Sequence, residues 1–339
     1  MEDYQLSVTE DSPNYRYVYN VSCRQENVPL SVDYISSMGG FGSIFLSLGT
    51  ILTLSTIALT VETCWKIFQQ HETKQYKINC LIIFTIYPIA SFCSLVALAI
   101  PRTQLLTEAI TQISLTMSMY RLYLVVLDIG KRGITSTPQM LLKVGPCCCW
   151  PCLPFPSHDL NDTNLSRLHI IVLQFPIVQG ILYTIFMIMQ VENPVFYTRY
   201  NIYFQPLCVT SILLALYGVT ILTMSLKDTN PDAKLRLKAL VVQLVLFFSK
   251  LQGSIIKALP LTGLFPCNPP ITPQIYANFT FNSLMLIEML LLCYAARYTY
   301  KESTSKKSNE LDMNKPEFKH RNDESINNNT INNNRHVQT

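Results

Sequence analysis

The chain alternates between long apolar stretches and short polar connections over most of its length. A helix that crosses the hydrocarbon core of a bilayer needs about 20 mainly apolar residues, since each residue adds about 1.5 Å. Seven stretches meet this requirement, and the pattern therefore predicts an all-α, polytopic membrane protein with seven transmembrane helices. The predicted spans are residues 38–61, 78–100, 105–127, 168–191, 204–226, 239–259 and 275–296.

Composition agrees with this prediction. Of the 339 residues, 49% are apolar and only 14% are charged, whereas about a quarter are charged in an ordinary soluble domain. Residues 1–37 contain no apolar core of a secretory signal. The first span is therefore expected to direct the chain into the membrane.

The basic residues are distributed unevenly between the two sides of the predicted bundle. Counted over alternate connections, 19 Lys and Arg residues fall on one side and four on the other. Cytoplasmic connections are the ones enriched in Lys and Arg. This predicts an extracellular N-terminal tail at 1–37, a seven-helix domain at 38–299, and a C-terminal cytosolic tail. Because residues 300–339 are polar and asparagine-rich, this tail is predicted to be disordered.

Two modifications are expected on the extracellular side. Asn20 begins an Asn-Val-Ser glycosylation signal far from the first span, whereas Asn278 begins one at the start of the seventh span, too close to the bilayer. Cys23 and Cys267 are the two cysteines placed outside the membrane in an oxidising compartment, so a disulfide between them is expected.

A cytosolic connection carries an unusual cysteine cluster, "KVGPCCCWPCLP", at residues 143–154. Zinc sites normally use two separated cysteine pairs, and a redox Cys-x-x-C is usually embedded in a strand and helix pattern that is not evident in this connection. Thiols beside a membrane are typical sites of S-palmitoylation. Lipidation is the favoured interpretation; a metal site, a redox role and an unmodified loop at the membrane surface remain open alternatives. The lipidation candidates are Cys147, Cys148, Cys149 and Cys152.

Ionisable residues within predicted spans are costly, and they usually face a cavity or a partner. Lys250 is predicted to lie near the bilayer midplane, in a seven-residue repeat with Gln243 and Lys257 that would form one polar stripe on an α-helix. Glu288 has a comparable depth in the seventh span. Lys250 is therefore expected either to pair with Glu288 or to contact an anionic solute.

Three other charged positions have simpler interpretations. Lys257 can extend its ammonium group to water, Glu108 lies near an outer helix end, and Arg121 is spaced to pair with Asp128 near the cytosolic end. The candidate residues of a solute path are Lys250, Gln243, Glu288, Lys257, Glu108 and Arg121.

Several segments together resemble the organic solute transporter alpha-subunit family over about residues 38–300. The most specific is the Gly-Pro and cysteine run at 145–152. "IPRTQLLTEAIT" at 100–111 is similar to the family's Ile-Pro-Arg turn with its following glutamate, and "FPCNPP" at 265–270 to its Cys-x-Pro-Pro connection. Leu286-Ile287-Glu288 is similar to the glutamate motif in the family's last span.

The resemblance implies a transporter subunit of the cell membrane. Members of this family move amphipathic organic anions, such as bile acids and steroid conjugates, by facilitated diffusion together with a single-span beta subunit. Membrane lipids and a solute are therefore the expected partners, and a homodimer is the alternative assembly. No cofactor, metal or nucleic acid is expected.

Other function classes fit less well. Receptors coupled to G proteins carry Asp-Arg-Tyr, Trp-x-Pro and Asn-Pro-x-x-Tyr motifs, and the corresponding spans lack them. Intramembrane enzymes need paired acids, a Ser and Lys dyad or a histidine cluster on facing helices, and no such set is evident. A lipid-binding or trafficking scaffold with the same architecture remains an alternative.

Overall fold

The computed structural model describes residues 29–70, 72–133, 141–142, 158–159, 162–226, 235–266 and 271–313. Seven helices in this part of the chain are long and apolar enough to cross a membrane, which confirms the predicted all-α, seven-helix architecture. They are α1 (Ser31–Gln69), α2 (Lys74–Ala99), α3 (Gln104–Gly133), α4 (Asp162–Glu192), α5 (Pro194–Ser225), α6 (Leu235–Ala258) and α7 (Pro273–Met313).

The helices form a bundle with two distinct sides. Helix α2 packs against α1, α3 and α7, whereas α4 and α5 pack mainly against each other, and α3 and α6 join the two groups. Successive helices alternate in direction, so α1, α3, α5 and α7 begin at one end, termed the proximal end. The opposite end is termed the distal end. The sequence predicts that the proximal end is extracellular.

Helix α1 contacts the bundle through small and hydroxyl-bearing residues. Gly49 allows close approach, since a Cβ there would lie 3.0 Å from a methyl of Leu286. The Thr53 hydroxyl accepts a hydrogen bond from Ser91 on α2 at 3.1 Å, and Thr60 lies 3.4 Å from the Cys293 sulfur on α7. Small residues and interhelical hydrogen bonds are typical of packing in membranes.

Local sequence explains where several helices begin and bend. Asn193 caps α5 by accepting hydrogen bonds from the amides of Val195 and Phe196, at 3.0 and 3.2 Å, and Pro194 occupies the first turn, where no amide donor is needed. Helix α1 starts before its predicted span and bends at Gly39, whose φ is 56°. Glycine adopts this conformation without the steric cost of a Cβ.

Helix α6 is not a continuous α-helix. Phe248–Gln252 form a π-helical segment between the α-helical parts Leu235–Phe247 and Gly253–Ala258. A π turn contains more residues than an α turn, so it changes the direction in which later side chains point. The seven-residue polar stripe predicted for this helix is therefore interrupted at its middle.

The C-terminal boundary differs from the predicted one. Helix α7 continues to Met313, so the first part of the tail predicted to be disordered is helical. The long connection between α3 and α4 contains a short antiparallel pair of strands, Leu141–Leu142 and His158–Asp159.

Candidate functional site

Four polar side chains from three helices meet in the proximal half of the bundle. They are termed the charged cluster: Glu108 on α3, Tyr183 on α4, and Lys250 and Lys257 on α6. The Lys257 Nζ lies 2.5 Å from the Glu108 Oε2, and their side chains are 30% and 24% exposed. The Lys250 Nζ donates a hydrogen bond to the Tyr183 hydroxyl at 2.7 Å.

The two pairs lie next to each other. The Tyr183 hydroxyl and the Lys250 ammonium group are both close enough to the Glu108 carboxylate to interact with it electrostatically. Glu108 is four residues from the start of α3 and Lys250 is eight residues from the end of α6, so they lie about 6 and 12 Å along their helices from the proximal end. The cluster therefore extends from near that end towards the middle of the bundle.

The ion pair between Lys250 and Glu288, one of the two interpretations that the sequence leaves open for Lys250, is not formed. Lys250 bonds to Tyr183, whereas Glu288 interacts with Gln252 in the π segment, and its buried Oε2 has no hydrogen-bond partner among the described residues. Comparable depth along two helices was the basis of the prediction. The direction in which each side chain points around its helix decides the contact instead.

The simpler interpretations of Lys257 and Glu108 omit the contact between them, although Glu108 does lie near the end of its helix. Lys257 does not extend freely to water, because it forms an ion pair with Glu108 and its Nζ lies 5.6 Å from the centre of the Phe281 ring. Glu108 is accordingly part of an interhelical ion pair. Gln243 is separate from both lysines: its Nε2 donates to the Thr220 hydroxyl on α5 at 3.3 Å.

Arg121 lies outside the charged cluster. Its Nη1 donates to the Asn79 side-chain oxygen on α2 at 3.2 Å, and its buried Nε has no partner in the described part of the chain. The salt bridges between described side chains join Glu62 to Lys66, Glu62 to Arg297, and Glu108 to Lys257. The pairing of Arg121 with Asp128 stays a prediction.

An aromatic wall lies beside the charged cluster, made by Tyr183, Phe186, Tyr197 and Phe204. The Phe186 ring lies at its centre and makes edge contacts with each of the other three, at centroid distances of 5.7–5.9 Å. Edge-to-face contacts of this kind are favoured between aromatic rings. The cluster therefore has charged groups next to a rigid apolar surface.

A small cavity adjoins Glu108 on the side of α2 and α7. Its volume is about 20 Å³, which is enough for about one water molecule. Two of the residues that line it are joined by a hydrogen bond, which the Asn282 amide donates to the Gln104 side chain at 2.7 Å. The other polar side chains along it are Ser94, Thr107, Thr111, Gln112 and Ser249.

The remaining predicted sites lie outside the described residues. These are the glycosylation site Asn20, the proposed disulfide of Cys23 with Cys267, and the lipidation candidates Cys147, Cys148, Cys149 and Cys152. No grouping of His, Cys, Asp and Glu suited to a metal ion occurs in the part of the chain that the structure describes.

Sequence reasoning missed Tyr183 and two polar contacts that join its helix, α4, to α5. On α4, the Gln179 amide donates to the backbone oxygen of Cys208 at 3.1 Å and accepts from its thiol at 3.2 Å. Gln174 makes the same double contact with Ser211, at 3.1 and 3.0 Å. Polar residues facing inward in apolar spans were the available signal, but their partners lie about 30 residues or more away in sequence.

Comparison with known proteins identifies the family. The family model described as organic solute transporter Ostalpha matches residues 45–306. Organic solute transporter subunit alpha of Danio rerio is 25% identical over 297 residues, covering 84% of this chain and 89% of that protein. The Bos taurus subunit alpha is 24% identical over 289 residues, covering 82% and 84%.

A relative named as alpha-like is similar over a comparable length of the chain. Organic solute transporter alpha-like protein 3 of Caenorhabditis elegans is 25% identical over 284 residues, covering 81% of each chain. No solved structure is significantly similar to this chain. Since the family match extends over most of the chain and reaches into each of the seven helices, this multi-pass membrane protein belongs to the organic solute transporter alpha family.

Proposed function

We propose that this transporter subunit mediates facilitated transport of amphipathic organic anions, such as bile acids and steroid conjugates. The observation that carries the proposal is the charge of the cluster. It contains two ammonium groups and one carboxylate, and Glu108 is the only carboxylate among the described residues that forms an ion pair with either lysine. An excess of one positive charge in the membrane-spanning part of the protein favours a negatively charged solute.

The surroundings of the cluster suit an amphipathic solute. A charge is poorly shielded in a low-dielectric environment, so a lysine at this depth attracts an anion more strongly than a lysine in water. The aromatic wall beside Tyr183 offers an apolar surface of the kind that large ring systems contact. A head group at Lys250 and a ring system against Phe186 would satisfy both parts of the solute.

The described conformation is closed to such a solute. The cavity beside Glu108 has about 20 Å³, whereas binding sites for drug-sized molecules have about 300–1,000 Å³. Transport therefore requires the helices around the cluster to separate. The contacts that must change include the Lys257 and Glu108 pair, which joins α6 to α3.

We further propose how the subunit is placed in the cell. The cell membrane is the expected location, with the proximal end outside and the basic connections in the cytosol. A single-span beta subunit is the expected partner, since relatives are named as alpha subunits. The four clustered cysteines are proposed to carry acyl chains that hold their connection against the inner leaflet.

Uptake of a radiolabelled steroid sulfate into vesicles tests the proposal. Vesicles containing the purified chain, alone and with candidate single-span partners, should take up the solute above the level of empty vesicles. The Lys250→Gln variant should lose most of this uptake and Lys250→Arg should retain part of it, because arginine keeps the charge. Equal uptake by empty and protein-containing vesicles, with every partner, would contradict the proposal.

A further inference from the structure

Glu108 occupies the position that an anionic solute would need. Its carboxylate lies 2.5 Å from Lys257 and within electrostatic range of the Tyr183 hydroxyl and of Lys250. These are the groups that would bind a sulfate or carboxylate of a solute. The protein's own carboxylate therefore acts on the cluster as a bound anion would.

A solute and Glu108 compete for the same two ammonium groups. With Glu108 ionised, the empty cluster carries one net positive charge, and binding of a solute with one negative charge makes it neutral. A solute with two negative charges would leave the cluster with an excess negative charge. Uncompensated charge is strongly disfavoured at this depth.

The Glu108 side chain is 24% exposed, so packing does not fix it on all sides. When a solute takes its place at Lys257, the carboxylate can turn towards this exposed side, where water supplies hydrogen bonds.

From these contacts we infer that Glu108 is an internal counter-ion that limits the cluster to solutes with one negative charge. This inference rests on the proposed function, because it assigns the charge selectivity of the same cluster. The charge of Glu108 determines which solutes bind. A solute with one negative charge can replace Glu108 at Lys257, whereas electrostatic repulsion from Glu108 excludes a solute with two negative charges.

Binding of three matched steroids to the full-length chain in lipid nanodiscs tests the inference. The probes are a steroid monosulfate, the disulfate of the same steroid and the uncharged parent. In the wild type, the monosulfate should bind at least tenfold more tightly than the disulfate. In Glu108→Gln, this preference should fall at least tenfold, while binding of the uncharged steroid stays the same.

Two further variants separate the charge of the cluster from other effects. Glu62→Gln removes the carboxylate of an ion pair at the distal end, between α1 and α7, and should leave the selectivity unchanged. Glu108→Gln combined with Lys257→Gln restores one net positive charge, and should return the preference towards that of the wild type.

The outcomes distinguish this inference from the proposed function. Wild-type protein that binds the monosulfate, with an unchanged preference in Glu108→Gln, overturns the inference alone. Binding of neither sulfate by the wild type contradicts the proposed function and overturns the inference with it, because a chain that binds no sulfate has no selectivity between them. If Glu108→Gln does not fold, the wild type alone tests the inference. Wild-type protein that binds the disulfate as tightly as the monosulfate, or more tightly, overturns it.

Discussion

Lys250 and Tyr183 contact each other across the interface of α6 and α4. The Lys250 Nζ lies 2.7 Å from the Tyr183 hydroxyl oxygen and 4.9 Å from the centre of its ring. A neutral phenol satisfies one donor of the ammonium group without neutralising its charge. This lysine is therefore held in place and still able to attract an anion.

A double-mutant cycle should identify Tyr183 as the partner of Lys250. Combining Lys250→Gln with Tyr183→Phe should give a coupling free energy of about 1.5–3 kcal/mol, since hydrogen bonds to charged groups have about this strength. The measurement is thermal unfolding of the purified variants. Combining Lys250→Gln with Glu288→Gln should give a coupling free energy of about zero. A larger coupling of Lys250 with Glu288 than with Tyr183 would contradict the observed pairing.

Removal of Lys257 should destabilise the protein by leaving Glu108 without its counter-charge. We expect Lys257→Met to lower the free energy of unfolding by about 2–3 kcal/mol, below the range for fully buried pairs because both side chains are partly exposed. Adding Glu108→Gln should restore most of this loss. Additive destabilisation in the double variant would mean that the two side chains do not interact.

Close packing of α4 against α5 should make one glycine sensitive to substitution. A Cβ at Gly218 would lie 2.7 Å from a methyl of Val172, and the β-branched valine has little rotamer freedom. Gly218→Ala is therefore expected to lower the free energy of unfolding by about 1–3 kcal/mol, which is detected as a lower melting temperature. Gly180→Ala is the control, because no atom lies within 4 Å of that site; equal effects would contradict the packing argument.

Glycosylation tests the predicted orientation. Asn20 should carry a glycan, because its signal is predicted to be extracellular and far from the bilayer. Asn20→Gln should abolish the mobility shift produced by a glycosidase on protein from eukaryotic cells. The connection between the third and fourth spans carries another signal, Asn161-Asp-Thr, which is predicted to be cytosolic. A shift that depends on Asn161 would reverse the predicted orientation.

Acyl exchange tests the interpretation of the cysteine cluster. Hydroxylamine should release thioester-linked chains from Cys147, Cys148, Cys149 or Cys152 in protein from cells, because thiols beside the bilayer are typical acylation sites. A variant with all four changed to serine should show no signal from this segment. Stoichiometric zinc in the purified wild type that is lost in this variant would favour the metal site instead.

The sequence by itself determined the seven helices of this protein. A membrane span requires a minimum length of apolar residues, and this requirement is local, so each helix can be recognised from its own segment. The same apolar pattern does not mark helix ends that lie in polar sequence. Helix α7 accordingly reaches Met313, beyond its predicted end.

Only the tertiary structure decided which charged groups meet. The sequence gives the depth of Lys250 and Glu288 along their helices, but not the neighbouring helix that each side chain faces. The π segment at Phe248–Gln252 changes that direction within α6, and Lys257 meets a glutamate that lies 149 residues earlier in the chain. Such contacts depend on how helices pack around one another, and packing is a property of the whole bundle.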